Sequence, residues 1–168
     1  MIIGSGGSGK STLAKRLGET LGLPVIHLDN YFWQSGWIPA DRDEFVNKQE
    51  EFAAGQKWIM DGSFSAGVHQ RLARATSVIL LDFNRVFCIV SVIKRYFQYR
   101  GKTRPDLHEG CPEKLDLPFL KWIWAYPKRS KPFFLEKIAM YPGVKLVVIK
   151  SRKELSRVYD TFRSGTTD

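Results

Sequence analysis

Short apolar runs alternate with longer amphipathic stretches along this chain. Residues 24–28, 58–60, 77–81 and 144–149 are apolar with little polar interruption, which predicts short buried strands. Residues 1–3 read as the end of another strand. A strand feeding a loop normally runs about five residues, so the given sequence is expected to lack a few N-terminal residues. Between these runs, residues 10–21, 42–54, 85–99 and 153–162 repeat their apolar positions at helical spacing. Strand–helix alternation predicts an α/β fold of parallel βαβ units, in one domain over 1–168. Val78-Ile79-Leu80-Leu81 is apolar on both faces, as a sheet covered on both sides requires.

One region breaks the alternation. Gly101, Pro105, Gly110, Pro112 and Pro118 make residues 100–118 loop-like. Residues 119–140 then read as helical, with a break at Pro127 or Pro132. Residues 100–132 are therefore expected to form a lid-like insertion over the edge of the sheet.

Composition narrows the classes. Of 168 residues, 43% are hydrophobic and 26% charged, which excludes global disorder. No apolar run approaches the ~20 residues that span a bilayer. The first residues run straight into glycine-rich sequence, so no signal peptide is expected. Two cysteines, Cys88 and Cys111, are too few for a disulfide framework or a metal quartet. Free thiols in a reducing cytoplasm are expected. Charge changes the picture more. Lys plus Arg is 26 against 17 Asp plus Glu, a net of +9. Residues 94–132 hold ten of the bases and four of the acids, a net of +6. This balance suits nucleotides, phosphorylated metabolites or nucleic acid, with a solvated basic surface as the alternative.

Gly4-Ser5-Gly6-Gly7-Ser8-Gly9-Lys10-Ser11 fits G-x-x-x-x-G-K-[ST], with Thr12 next. An apolar run precedes it and a helical pattern follows. Glycines let backbone N–H groups turn inward on phosphate oxygens, and a helix N-terminus adds its positive end. Lys10 supplies a point charge for the β- and γ-phosphates, and the Ser11 hydroxyl a ligand for Mg²⁺. A Gly/Ser linker would need neither Lys-Ser-Thr at this register nor a helix after it. Gly4 to Thr12 are thus read as an ATP-binding loop.

Acids follow the predicted strands. Asp61, after Trp58-Ile59-Met60, is read as holding Mg²⁺, with a turn Asp-Gly as the alternative. Gly62 follows it where a motor ATPase would carry a carboxylate, which disfavours water as the acceptor. Asp29 ends the second strand, where open α/β sheets bind ligands. It is placed to take a proton from an acceptor hydroxyl or to bind Mg²⁺; a cap or turn is the alternative. Tyr31, Phe32, Trp33 and Trp37 line an acceptor pocket or staple the next helix, and the pattern does not choose. His27 reads as a core residue, and Asp82 as the cap of the helix starting near Arg85.

The basic segment offers cations for the transferring phosphoryl group: Lys94, Arg95, Arg100, Lys102 and Arg104, then Lys128, Arg129 and Lys131. Arginine's planar fork matches phosphate, so Arg100, Arg104 and Arg129 are the preferred clamps. Beside them lie Tyr96-Phe97, Tyr99, Trp122, Trp124 and Tyr126. Such aromatics stack nucleobases in some proteins and form core in more.

Several segments together resemble one family. They are the glycine-rich loop, His27-Leu28-Asp29 with Trp33 and Gly36-Trp37, and Trp58-Ile59-Met60-Asp61-Gly62. Arg100-Gly101-Lys102-Thr103-Arg104-Pro105-Asp106, Glu109-Gly110-Cys111-Pro112-Glu113 and Phe119-Leu120-Lys121-Trp122-Ile123-Trp124 complete the set. The chain resembles the bacterial DNA topology modulation proteins, themselves similar to nucleoside monophosphate kinases, over residues 3–159. The resemblance implies a three-layer P-loop fold with a five-stranded parallel sheet in the order 2-3-1-4-5. It implies ATP on Gly4–Thr12, Asp61 near Mg²⁺, Arg104 in a lid, and adenine near Ser151-Arg152. An adenylate kinase would show Phe-Pro-Arg after Asp-Gly; here Ser63-Phe64-Ser65 follow. The arginine that grips an AMP phosphate is missing there, which counts against adenylate kinase activity.

The expectation is an ATP-dependent small-molecule kinase using Mg²⁺, cytoplasmic and monomeric or weakly dimeric. Its acceptor, a nucleotide, nucleoside or related metabolite, stays open. The alternative is a nucleic-acid-associated ATPase or regulator. No helix-turn-helix, zinc-finger or topoisomerase signature supports that alternative.

Overall fold

Five short strands carry apolar side chains on both sides, and such strands are stable only when helices cover both faces. The computed structural model describes residues 1–104 and 107–163. Its main sheet contains β1 (Ile2–Gly4), β2 (Val25–His27), β5 (Ile59–Asp61), β6 (Ser77–Leu81) and β7 (Lys145–Ile149). All neighbouring pairs are parallel, in the order β2-β5-β1-β6-β7. Counted by the sheet's own strands in chain order, this is 2-3-1-4-5. The expected α/β architecture, a five-stranded parallel sheet flanked by helices, is present.

Helices α1 (Lys10–Leu21), α3 (Arg42–Ala53), α5 (Arg85–Tyr99) and α8 (Arg152–Arg163) lie within a residue of the sequence reading. Alternate strand residues feed opposite faces of the sheet. Ile2, Ile79 and Leu81 pack with Leu13 and Leu17 of α1 and Cys88 and Val92 of α5. Ile3, Val78 and Leu80 pack with residues of α4 (Val68–Leu72) and α7 (Ser130–Ala139). Under α3, Leu28 and Met60 meet Phe45 and Ala53. Each such aliphatic burial contributes about 1.5–3 kcal/mol. β7 lies at the sheet edge and leaves Leu146 and Val148 partly exposed.

Side-chain caps set three helix starts. Asp41 accepts from the N–H groups of Asp43 and Glu44, Asn84 from Val86, and Asp116 from Phe119. The cap of α5 is thus Asn84, not Asp82. Asn84 has extended backbone (φ −55°, ψ 136°) and sits directly before the helix. Asp82, two residues earlier, pairs instead with Lys131 at 2.5 Å.

Three short elements escape the sequence reading. These are α2 (Asp29–Phe32), the antiparallel hairpin of β3 (Trp33–Gln34) and β4 (Ile38–Pro39), and α4. They are too short to establish a period. The helical stretch after residue 116 breaks into α6 (Leu117–Ala125) and α7, and Pro127 lies in the turn between them. Pro132 sits in the first turn of α7, where its missing N–H costs nothing.

The segment expected to be a lid packs in two places. Its first half lies on the β3–β4 hairpin. There the N–H of Gly36 donates to Gly110, Cys111 Sγ to Gln34, and Trp37 Nε1 to Pro112. Its second half, α6, buries Ile123 fully in the core beside α1 and α5. Pro105 and Asp106 of the quoted family segment lie outside the described residues. Among the described residues no helix is long and apolar enough to cross a membrane.

Candidate functional site

The glycine-rich loop joins β1 to α1 at the carboxyl edge of the sheet. Gly7 has φ 75°, a region L side chains avoid, and it faces the backbone of α5. α1 starts at Lys10 with no side-chain cap, so its first N–H groups are offered by the backbone alone. Ser63 anchors the other end of the loop. Its hydroxyl accepts from the Gly4 N–H at 2.9 Å and donates to the Gly4 carbonyl at 2.8 Å. Ser8 is buried, and its Oγ finds no hydrogen-bond partner among the described residues. An unpartnered buried hydroxyl inside a glycine-rich turn fits a phosphate oxygen.

Parallel register builds the next layer. Asp61 ends β5 directly beside Ile2 of β1 and His27 of β2. Ser11 in the first turn of α1 donates to Asp61 Oδ2 at 2.9 Å. His27 Nδ1 lies 2.5 Å from Asp61 Oδ1. Asp61 is 3% exposed, so its carboxylate is held between a hydroxyl and an imidazole with little water. His27 is therefore a partner of the site acid and not a core residue, because the register sets it opposite Asp61.

Lys10 Nζ donates to the Ser5 carbonyl at 3.0 Å. Burial holds its ammonium below the ordinary lysine range; Asp29 and Asp61 pull it back up and Arg95 lowers it further. Asp29 opens α2 just past β2. The sequence-predicted residues Lys10, Ser11, Asp29 and Asp61 thus come together at the mouth of the loop, and Arg95 joins them. No cluster of three or more His, Cys, Asp or Glu able to hold a metal occurs among the described residues. Ser11 and Asp61 supply two oxygen donors, the number Mg²⁺ needs when phosphates and water complete its shell.

The preferred arginines are placed elsewhere. Arg104 Nε lies 2.7 Å from Glu113 Oε2. Arg95 takes Oε1 of the same carboxylate through both Nε and Nη2 at 2.9 Å. Glu113 is buried and ties the segment after α5 back onto that helix. Arg100 caps the end of α5 and is exposed. Arg129 lines a surface hollow beside Trp122, and Arg152 lies over the Phe87 ring at 5.1 Å. Of the aromatics, Phe32 packs on Phe45 and Phe64 and staples α3, while Trp33 meets Trp37 at 5.5 Å.

Five residues lie around the site in roles that the sequence pattern does not assign. Ser63 follows Asp61-Gly62 by one position, a signal visible in hindsight. Glu113 and Arg95 are joined only by tertiary packing. Arg71 is fully buried in α4 and donates to the carbonyls of Gly62, Phe64 and Gly67, holding the loop after Asp61. Burial pulls its pKa down to about 9, so it remains charged at neutral pH. Tyr126, at the C-terminal end of α6, is buried, and burial pushes its hydroxyl up to about 12.

No model of a known protein family matches the chain, and no curated protein matches it.

Proposed function

We propose that this protein is an ATP-dependent phosphotransferase acting on a small hydroxylated or phosphorylated acceptor. The observation that carries the reading is the Ser11–Asp61 hydrogen bond at the foot of an uncapped, glycine-lined helix start, beside the Lys10 ammonium. That set supports a P-loop: backbone donors for phosphate, one lysine, and a hydroxyl–carboxylate pair for Mg²⁺. The resemblance to nucleoside monophosphate kinases points the same way.

In this reading Gly4 to Thr12 hold the triphosphate through backbone N–H groups, and Lys10 bridges its outer phosphates. Ser11 and Asp61 would hold Mg²⁺, which neutralises charge on the β- and γ-oxygens. His27 keeps the Asp61 carboxylate in place. Asp29 orients the acceptor hydroxyl and takes its proton. The acceptor oxygen forms a new bond to the γ-phosphorus as the bond to the β-phosphate oxygen breaks, and ADP leaves. Arg95, whose charge acts on Lys10 while its guanidinium pairs with Glu113, is assigned to the charge on the moving phosphoryl group. Arg104 shares its carboxylate. Arg100 and, for adenine, Arg152 are secondary, and Arg129 lies apart in the hollow beside Trp122.

The test is ADP release from MgATP against nucleosides, nucleoside monophosphates and small hydroxylated metabolites, with Lys10→Ala as the blank. Stimulation by one acceptor, lost in the blank, is expected. Equal turnover by Lys10→Ala would overturn the scheme. Asp29→Asn should lower transfer far more than ATP affinity; an equal loss of both would make Asp29 a nucleotide or Mg²⁺ residue.

A further inference from the structure

The outer face of α6 carries a feature that the phosphotransferase reading does not use. Pro118, Lys121, Trp122 and Ala125 follow at i, i+3, i+4 and i+7 and share one face of the helix. Arg129 and Ser130, at the start of α7, close a hollow of about 330 Å³ over them. That is the low end of ligand-pocket size, enough for one planar ring and a substituent.

Trp122 is 37% exposed although it is a large aromatic. It is not loose: Phe119 stacks on it at 5.9 Å and 10°, and Tyr126 meets it edge-on at 5.4 Å. Lys121 and Arg129 are both exposed, and neither side chain makes an ion pair or hydrogen bond among the described residues. Three other cations of the basic segment are committed, Lys131 to Asp82 and Arg95 and Arg104 to Glu113. The hollow therefore joins a rigid indole to two uncompensated positive charges.

We infer that this hollow is a second ligand site, separate from the glycine-rich loop, that takes a nucleobase with its adjoining phosphate. An indole stacks on any base face, arginine forks onto a phosphate, and lysine adds a point charge. A simple anion would leave the indole unused, and an apolar ligand would leave the cations unused. The site is screened from the loop by Phe119, whose ring approaches Gly6 on its other side. The same chemistry is offered by a free mononucleotide and by one nucleotide of a single strand. The net +6 of residues 94–132 serves either.

The experiment is fluorescence anisotropy with labelled adenosine monophosphate and with a labelled short oligothymidylate, on the full chain carrying Lys10→Ala. Saturable binding of either probe in this background is expected. Trp122→Leu keeps apolar volume but loses stacking, and should weaken binding about fivefold or more. Arg129→Gln and Lys121→Gln, both at exposed positions that folding does not depend on, should each weaken binding. With the oligonucleotide, each should flatten the log–log salt dependence by about 0.7. Lys57→Gln, an exposed lysine elsewhere, should change nothing. Preference for the oligonucleotide would assign a strand, and equal or better binding of the monophosphate a free nucleotide. The inference fails if neither probe binds, if Trp122→Leu and Arg129→Gln bind like the parent, or if Lys57→Gln loses as much as Arg129→Gln. Binding by the unsubstituted chain that Lys10→Ala abolishes would place the probe in the loop and also overturn it. Because turnover is not the readout, this result stands apart from the fate of the phosphotransferase reading.

Discussion

Replacing Gly7 by Ala separates two costs that usually come together. A Cβ at Gly7 would stand 2.3 Å from the Cys88 carbonyl oxygen and 2.9 Å from Val92 Cγ2. Cys88 and Val92 are both fully buried, so α5 cannot yield without disturbing the core. Gly7 also has φ 75°. Gly9 is the internal control, because its φ is 90° yet a Cβ there would meet nothing within 4 Å. The left-handed strain costs about 1–2 kcal/mol at either position. Overpacking against α5 adds about 1–3 kcal/mol at Gly7 alone. For a chain of this size each kcal/mol moves Tm by about 2–4 °C. Gly9→Ala should therefore lower Tm by about 2–8 °C, and Gly7→Ala by a further 2–12 °C or so. Thermal unfolding of both variants without nucleotide, followed by circular dichroism, reads the difference directly. Equal Tm values would falsify the close packing of the loop on α5 and leave only backbone strain.

Other outcomes follow from named contacts. Ser63→Ala should leave both polar groups of Gly4 without their partner, cost about 1–3 kcal/mol, and raise the KM for ATP more than it lowers kcat; an unchanged KM would mean the loop holds its shape without Ser63. Glu113→Gln should strand Arg95 and Arg104 in a largely buried place, at a cost of about 3 kcal/mol or more, seen as a clear drop in the urea midpoint. A midpoint equal to the parent's would show that water screens that carboxylate. Asp41 is held below its ordinary value of 3.8 by the N–H groups of Glu44 and then Asp43. Its folded pKa is the depressed one, so its stabilisation is present above the unfolded value and lost as pH falls through the folded value. The Tm gap between parent and Asp41→Asn should thus be present at neutral pH and close below about pH 4; a gap that persists in acid would mean the cap works through its neutral form.

Much of the architecture was readable from local pattern. The helices α1, α3, α5 and α8 declared themselves because an apolar face at 3.6-residue spacing needs ten or more residues to show, and each has them. The inner strands β5, β1 and β6 showed as apolar runs because both of their faces are covered. The loop from Gly4 to Ser11 was legible because its chemistry lies in consecutive residues. Lys10, Ser11, Asp29 and Asp61 lie near one another because a parallel sheet gathers the carboxyl ends of its strands at one edge.

What the chain alone did not decide were partners distant in sequence. His27 became a neighbour of Asp61 through the β2–β5 register, and Ser63 clasped Gly4 across 59 residues. Arg95 and Arg104 were both drawn to Glu113, because tertiary packing brings that carboxylate back onto α5. Asn84 displaced Asp82 as cap because the backbone turns into the helix one residue before Arg85. Sequence determined which residues could form helix, strand and phosphate-binding turn, since those depend on sterics and periodicity within a few residues. Tertiary structure decided which charges meet, since a buried polar group takes the partner that packing delivers to it.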